Sequence, residues 1–233
     1  MGRLGTPLLV VNFKNYPEAL GEGALRIARA AEDVSRRVGV PVAVAPPQTA
    51  LMYVARSVSI PVLAQHVDDV EASNTTGFVP PESASAAGAA GSIVNHSEHR
   101  APEDVVGRLV GRLRGLGLSS VVCASTPEEA GRLARFSPDY IAVEPPELIG
   151  SGRAVSRVAP DVVRRGVEAV RAVSSEVGVL CGAGIVDGED ARAAVELGAE
   201  GILVSSAVVR AKDPGLKLEE LALGLLAGWR SSR

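Results

Sequence analysis

Eight apolar runs of strand length recur along the chain, separated by segments of helical period. They lie near Leu8–Phe13, Val42–Ala45, Val62–Ala64, Ser92–Asn95, Ser120–Ala124, Tyr140–Val143, Gly178–Cys181 and Gly201–Val204. Runs this uniformly apolar suit strands covered on both faces, as in parallel sheets flanked by helices. The alternation therefore predicts repeated βα units. Between the fourth and fifth runs, Pro102-Glu103-Asp104 opens a helix whose Val105, Val106, Leu109, Val110 and Leu113 form one stripe. Thr126-Pro127-Glu128-Glu129 has capping-box spacing, and Pro160-Asp161 starts a helix expected to turn Val162, Val163, Val167 and Val170 inward. These stripes are core and not cofactor boxes. With no linker and no break in composition, residues 1–233 read as one α/β domain.

Chemistry concentrates at the ends of these runs. Tyr140–Val143 is followed by Glu144 and then by Pro145-Pro146-Glu147-Leu148-Ile149-Gly150-Ser151-Gly152. A carboxylate desolvated at the end of a rigid strand is suited to general-base work. The residues after it have the make-up of a lid, with a stiff Pro-Pro end, an apolar tip and a Gly-Ser-Gly hinge. An exposed Glu in an ordinary loop fits the same stretch equally well. A second segment, Gly91–Arg100, also ends an apolar run in polar residues, His96-Ser97-Glu98. There His96 could polarise a carbonyl, and the turn beginning at Ser97 could supply N–H groups that keep the imidazole neutral. A histidine in this place is also compatible with a satisfied turn residue. The first run delivers Asn12 and Lys14, the latter a point cation for an anionic substrate.

Six motifs in order, Asn12-x-Lys14, Ala64-Gln65, Thr76-Gly77, His96-Ser97-Glu98, Glu144-Pro145 with Gly150-Ser151-Gly152, and Gly182-Ala183-Gly184, make the chain resemble the triosephosphate isomerase family over essentially its whole length. The resemblance implies a single-domain (β/α)8 TIM barrel, a fold of roughly 250 residues with its site at the C-terminal ends of the strands. It implies cofactor-free interconversion of dihydroxyacetone phosphate and glyceraldehyde 3-phosphate, in glycolysis and gluconeogenesis. Glu144 is then the proton-transferring base and His96 the donor to the substrate oxygen, a pairing that is the family's known arrangement and not one deduced from spacing. Lys14 supplies the cation, Asn12 orients the oxygen side, and Glu98 organises Lys14, with Ser97, Gln65 and Thr76 in support. Ile149, Gly150, Gly184, Ser205 and Ser206 would bind the phosphate. The loops Cys181–Ile185 and Val204–Ala207 offer backbone N–H groups for it; each alone could be a tight turn, and together after the last two strands of a barrel they favour phosphate.

Departures from the family pattern are local. Pro146-Glu147-Leu148 replaces the common lid tip, and Ser205-Ser206 replaces Gly-Gly. The short interval between His96 and Glu144, with Glu-Pro-Pro-Glu-Leu-Ile-Gly and Cys-Gly-Ala-Gly-Ile, resembles the compact archaeal branch. The irregular stretch Asp68–Pro81 is long for a connection. In the family the matching loop enters a second subunit, which implies a homo-oligomer, a tetramer in preference to a dimer, with Thr76 supporting Asn12 and Lys14 of the partner subunit. A surface loop is the alternative.

Other classes fit poorly. A net charge of −3 and seven Phe, Tyr and Trp residues argue against nucleic acid. No apolar run approaches the roughly 20 residues of a membrane span, and no signal peptide is evident. The start Met1-Gly2-Arg3-Leu4-Gly5-Thr6 matches a loose myristoylation pattern, but the first strand follows too closely to leave an arm. Cys123 and Cys181 sit in apolar runs and read as buried thiols of a cytoplasmic protein. His66, His96 and His99 lack a matching Cys or carboxylate set in sequence, so no metal is expected and His66 and His99 read as supporting or surface residues. Arg far outnumbers Lys and Asn and Gln are scarce, a balance compatible with thermophily and also with codon bias. The rival readings are another phosphate-binding barrel enzyme and a barrel that binds without turnover; neither needs Glu144 and His96 together.

Overall fold

The computed structural model describes residues 4–145 and 159–232. Pro146–Gly152, including Ile149 and Gly150, falls outside them. The eight expected strands are present as β1 (Leu8–Asn12), β2 (Val42–Ala45), β3 (Leu63–Ala64), β4 (Gly91–Val94), β5 (Ser119–Ala124), β6 (Tyr140–Val143), β7 (Gly178–Cys181) and β8 (Gly201–Val204). All pair in parallel in the order β2-β1-β8-β7-β6-β5-β4-β3. The ends meet through a parallel bridge between Val44 and Val62, with the Val44 N–H donating to the Pro61 carbonyl at 3.0 Å. The sheet is thus a (β/α)8 barrel. Its least regular seam is β3, where only two residues keep a ladder.

Helices α1 (Glu22–Val38), α2 (Leu51–Ala55), α3 (Pro81–Ala86), α4 (Glu103–Gly115), α5 (Pro127–Ala134), α6 (Pro160–Arg171), α7 (Gly188–Glu196), α8 (Ser206–Val209) and α9 (Pro214–Ser231) surround it. None among the described residues is long and apolar enough to cross a membrane. The stripes on α4 and α6 are buried as expected, except that Val105 and Val162 lie at their margins, half-buried. Thr126 caps α5 by accepting from the Glu129 N–H at 3.1 Å. The return half of the box is absent, because the Glu129 carboxylate accepts from the Ser125 N–H at 2.7 Å instead.

Alternation along each strand divides the apolar residues into two cores. Leu9, Val11, Ile141, Val143, Val179 and their like face the helices. Leu8, Val10, Leu63, Ile93, Val121, Cys123, Tyr140, Ala142, Leu180 and Leu203 fill the barrel interior. Tyr140 is the largest of the inner set, and its hydroxyl donates to the Gly5 carbonyl at 2.9 Å. The bulk of the interior is therefore apolar and buried, so a site can open only above its last apolar layer.

Candidate active site

The next inward position beyond each apolar layer is where the polar residues appear. Two residues past Val10, Leu63, Ala142, Leu180 and Leu203 stand Asn12, Gln65, Glu144, Gly182 and Ser205. Strand register alone thus raises these residues to the C-terminal mouth.

On β1, buried Asn12 accepts the Lys14 N–H through Oδ1 at 2.9 Å. Lys14 has φ 48°, a left-handed conformation that is uncommon outside glycine and clusters at functional sites. Gln65 holds the turn, donating from Nε2 to the Lys14 carbonyl at 2.9 Å and to the Ala45 carbonyl at 3.0 Å. The Lys14 Nζ lies 3.4 Å from Glu98 Oε1, so the expected pairing is present, with Glu98 well exposed.

His96 is off register and reaches the mouth by a backbone device. Asn95 would point inward if β4 continued, but the strand stops at Val94 and Asn95 takes φ 62°. Its amide turns to β5, donating to the Cys123 carbonyl at 2.9 Å, while its Oδ1 accepts from the Ala101 N–H at 3.0 Å. The expected strand end at Asn95 is corrected by this switch, and His96 takes the inward place. The turn supplies the anticipated N–H from Glu98, which donates to His96 Nδ1 at 3.1 Å. Nδ1 accepts, so the ring proton is on Nε2, which faces the mouth. Burial, with the Lys14 charge second, lowers the His96 pKa to about 4 against a weaker opposing pull from Glu98. The imidazole is neutral near pH 7.

Glu144 continues β6 by one ladder bond, its N–H donating to the Ala124 carbonyl at 2.8 Å, and is buried at 4% exposure. Its Oε2 lies 4.0 Å from His96 Nε2 and has no hydrogen-bond partner. Burial raises its pKa to about 7, opposed by a hydrogen bond with the Cys123 thiol and by the charges of Lys14 and Arg100. Cys123, read in the sequence simply as a buried thiol, therefore touches the carboxylate from the layer below. Its own pKa is pushed well up, chiefly by burial, so it remains a thiol.

Gly182 has a different use from the one read in the sequence. Its N–H donates to the Val143 carbonyl at 3.0 Å and so belongs to the ladder, not to a phosphate. A Cβ there would sit 2.4 Å from Glu144 Cγ, which leaves glycine as the residue that lets the carboxylate lie flat against β7. Gly184 (φ 71°), Ser205 and Ser206 line the same cavity of about 340 Å³ with Glu144 and His96. Ser205 Oγ is buried without a partner, and at the start of α8 the Val208 and Val209 N–H groups donate to the Ser205 carbonyl at 3.0 and 3.1 Å, so that only those of Ser206 and Ala207 precede the helix's own bonds. Arg210, beyond α8, also lines this cavity, lying 5.9 Å from the Tyr16 ring centre.

The arrangement brings Asn12, Lys14, Glu98, His96, Glu144, Gly184, Ser205 and Ser206 to one mouth. Ser97 lies half-buried in the His96 turn, whereas Thr76 is exposed on the Asp68–Pro81 segment. Asn95, Cys123 and the glycine at 182 as a packing device were missed. The environments of Glu144 and His96 push their proton affinities past each other, the carboxyl to about 7 and the imidazole to about 4, an arrangement that can serve proton transfer at carbon beside a carbonyl.

A family model described as triosephosphate isomerase matches residues 7–222. The chain is 50% identical over 215 residues to the triosephosphate isomerase of Methanothermus fervidus, covering 92% of this chain and 97% of that protein. It is 48% identical over 217 residues to that of Cenarchaeum symbiosum, with 93% and 97% covered. Against that of Methanopyrus kandleri the identity is 50% over 224 residues, with 95% and 99% covered.

Proposed function

The chain belongs to the triosephosphate isomerase family and interconverts dihydroxyacetone phosphate and D-glyceraldehyde 3-phosphate, and we propose that Glu144, His96, Lys14 and Asn12 carry out this reaction. The observation that carries the assignment is the unpartnered, buried Glu144 Oε2 lying 4.0 Å from the protonated face of a neutral His96. Glu144 takes a proton from the carbon beside the carbonyl and returns it to the neighbouring carbon. Its raised pKa, about 7, makes it a stronger base than a solvated carboxylate. His96 donates through Nε2–H to the oxygen on which enediolate charge develops, and Lys14 balances that charge. Asn12 orients the same oxygen while holding the Lys14 turn.

Gly184, Ser205 and Ser206 bind the phosphate, joined by Ile149 and Gly150 when the lid closes and shields the enediolate from water. Thr76 reaches Asn12 and Lys14 of the partner subunit in a homo-oligomer, a tetramer in preference to a dimer. In support, residues 71–78 are exposed and Phe78 is half in solvent. The chain works as one domain over residues 1–233, in the cytoplasm, without a cofactor, and at elevated temperature. Linked ion pairs, Arg108 and Arg112 sharing Asp69 and Arg132 and Arg135 sharing Glu103, support the last point.

The test is turnover of glyceraldehyde 3-phosphate in a coupled assay beside Glu144→Gln. We expect kcat to fall by about 10³-fold with the fold intact, within the range of a lost general base. A loss under tenfold would remove Glu144 from the mechanism.

A further inference from the structure

The turn that delivers His96 is tied at both ends to one buried carboxylate that lies outside it. Glu129, in the first turn of α5, is 8% exposed and lines neither the cavity beside Glu144 nor the one beside Gln65. Its Oε1 accepts from Asn95 Nδ2 at 3.4 Å and from the Arg100 guanidinium, and its Oε2 accepts from the Ser125 N–H at 2.7 Å. Arg100 in turn donates to the Asn95 carbonyl at 3.4 Å and to Ser125 Oγ at 3.3 Å. Asn95 and Arg100 bracket the segment that carries His96, Ser97 and Glu98, and Glu129 grips both.

We propose that Glu129 is a positioning residue for His96, holding the Asn95 and Arg100 ends of its turn so that the imidazole keeps its place and its tautomer, an inference that rests on the assignment of His96 and Glu144 to the reaction. A non-glycine residue at φ 62° persists only where its surroundings over-determine it. The Asn95 side chain is fixed by the Cys123 carbonyl at 2.9 Å, by the Ala101 N–H at 3.0 Å and by Glu129. The start of α5 needs less than Glu129 supplies. Thr126 already accepts the Glu129 N–H at 3.1 Å, and Oε2 alone takes the Ser125 N–H. Oε1 and its two donors serve the turn after β4 and not the helix, and the bond to Arg100 is charge-assisted on both sides, the stronger kind.

The same grip fixes a charge near the base. Around Glu144 stand Lys14 after β1, His96 and Arg100 after β4, Cys123 on β5 and Cys181 on β7. Of these, Lys14 and Arg100 favour the ionised carboxylate against its burial. Glu129 therefore sets where one of the two cations sits, as well as how the imidazole is presented, while touching neither reacting group.

The direct variant is Glu129→Gln, in which an amide fills the same space with one acceptor oxygen. With that oxygen on the Ser125 N–H, its NH2 group faces the donors of Asn95 and Arg100. We expect kcat to fall by about 10- to 100-fold with KM changed less than about threefold, because misplacing a reacting group by about 1 Å costs on that order. Nitrogen-15 NMR of His96 should change from a single Nε2–H tautomer to a mixture with the Nδ1–H form. Thr126→Ala uncaps α5 but leaves the bonds of the turn alone, so it should lower the melting temperature and leave kcat and the His96 signal as in the wild type. Arg100→Met and Arg100→Lys separate position from charge. Both lose the guanidinium fork and should lower kcat, but the first moves the step in kcat/KM above about pH 7 and the second leaves it in place. Wild-type kcat and a single His96 tautomer in Glu129→Gln, or in Arg100→Lys should the former not fold, overturn the proposal. So does a kcat loss that Thr126→Ala reproduces. Full activity in Glu144→Gln would instead overturn the assignment beneath it, whatever Glu129 does.

Discussion

Two cavities meet at Asn12, Lys14 and His96, and they are built on opposite plans. The one toward β6, β7 and β8 is made of close backbone approaches and unsatisfied groups: Gly182 against Glu144, a bare carboxylate oxygen and a bare serine hydroxyl. The one toward β3 is made mostly of side chains that have already found each other, Gln65 on the Lys14 turn, Lys14 with Glu98 and His66 with Asp68. A buried polar atom with no partner costs about 1–3 kcal/mol. On the proposed assignment the first cavity retains that cost because substrate supplies the partners, and the second spends its polar groups on holding the first in place. Substitutions in the first should therefore register in kcat, and substitutions in the second in stability and in how firmly the site is held.

The sharpest test of this division is Gly182→Ala. The new methyl would overlap Glu144 Cγ and push the carboxylate from its seat. Because displacement of a catalytic group by about 1 Å can cost on the order of 10²-fold, we expect a kcat loss of that size with KM little changed, measured in the coupled assay. An equal loss of melting temperature with kcat intact would show Gly182 to be a packing residue only.

In the second cavity the corresponding probe is Gln65→Ala. It leaves the Lys14 and Ala45 carbonyls without their side-chain donor, and the left-handed Lys14 turn without its brace. We expect about 2–3 kcal/mol less stability by denaturant unfolding, from two lost hydrogen bonds, and a raised KM as Lys14 wanders.

Proton linkage offers a third contrast, within the proposed reacting pair itself. Glu144 keeps its proton in the folded state up to about pH 7 and loses it near 4.5 when unfolded, so its contribution to stability falls as pH rises between those values. His96 is the reverse. Unfolded it holds a proton up to about 6.5, folded only to about 4, so its contribution rises over that window. Between about pH 4.5 and 6.5 the two slopes oppose and nearly cancel. In Glu144→Gln only the histidine remains, and stability relative to the wild type should climb with pH by up to about 1.4 kcal/mol per unit. Urea unfolding at several pH values reads this directly. In the wild type, kcat/KM should rise with pH through a step near 7 as the base ionises.

What the sequence disclosed follows the same line. Uniformly apolar runs of strand length and stripes of helical period are local signals, and they located the eight strands to within a residue or two. Glu144 was legible because it stands in register, one inward position above Ala142. His96 was legible only as a polar residue near a strand end. That it faces the mouth depends on the left-handed Asn95 and on a carbonyl of β5, neither of which any spacing encodes. The contact of Cys123 with Glu144 joins adjacent strands at the top of a barrel, and the role of Gly182 is an absence of atoms. Such features exist only once β5, β6 and β7 lie side by side.

The smallest expected effect separates two roles within one residue. Glu98 supplies a backbone N–H to His96 Nδ1 at 3.1 Å and a side chain to Lys14 at 3.4 Å, and these should differ greatly in importance. The backbone donor fixes which ring nitrogen carries the proton. The carboxylate is exposed, and an exposed ion pair is worth about 0–1 kcal/mol. Glu98→Gln keeps the first and removes the charge of the second, so kcat/KM should fall less than about fivefold, which is within 1 kcal/mol. The loss should shrink further as salt screens the wild-type pair. A drop of a hundredfold would mean that the side chain, and not the turn, governs Lys14, and the second cavity would then belong to catalysis as directly as the first.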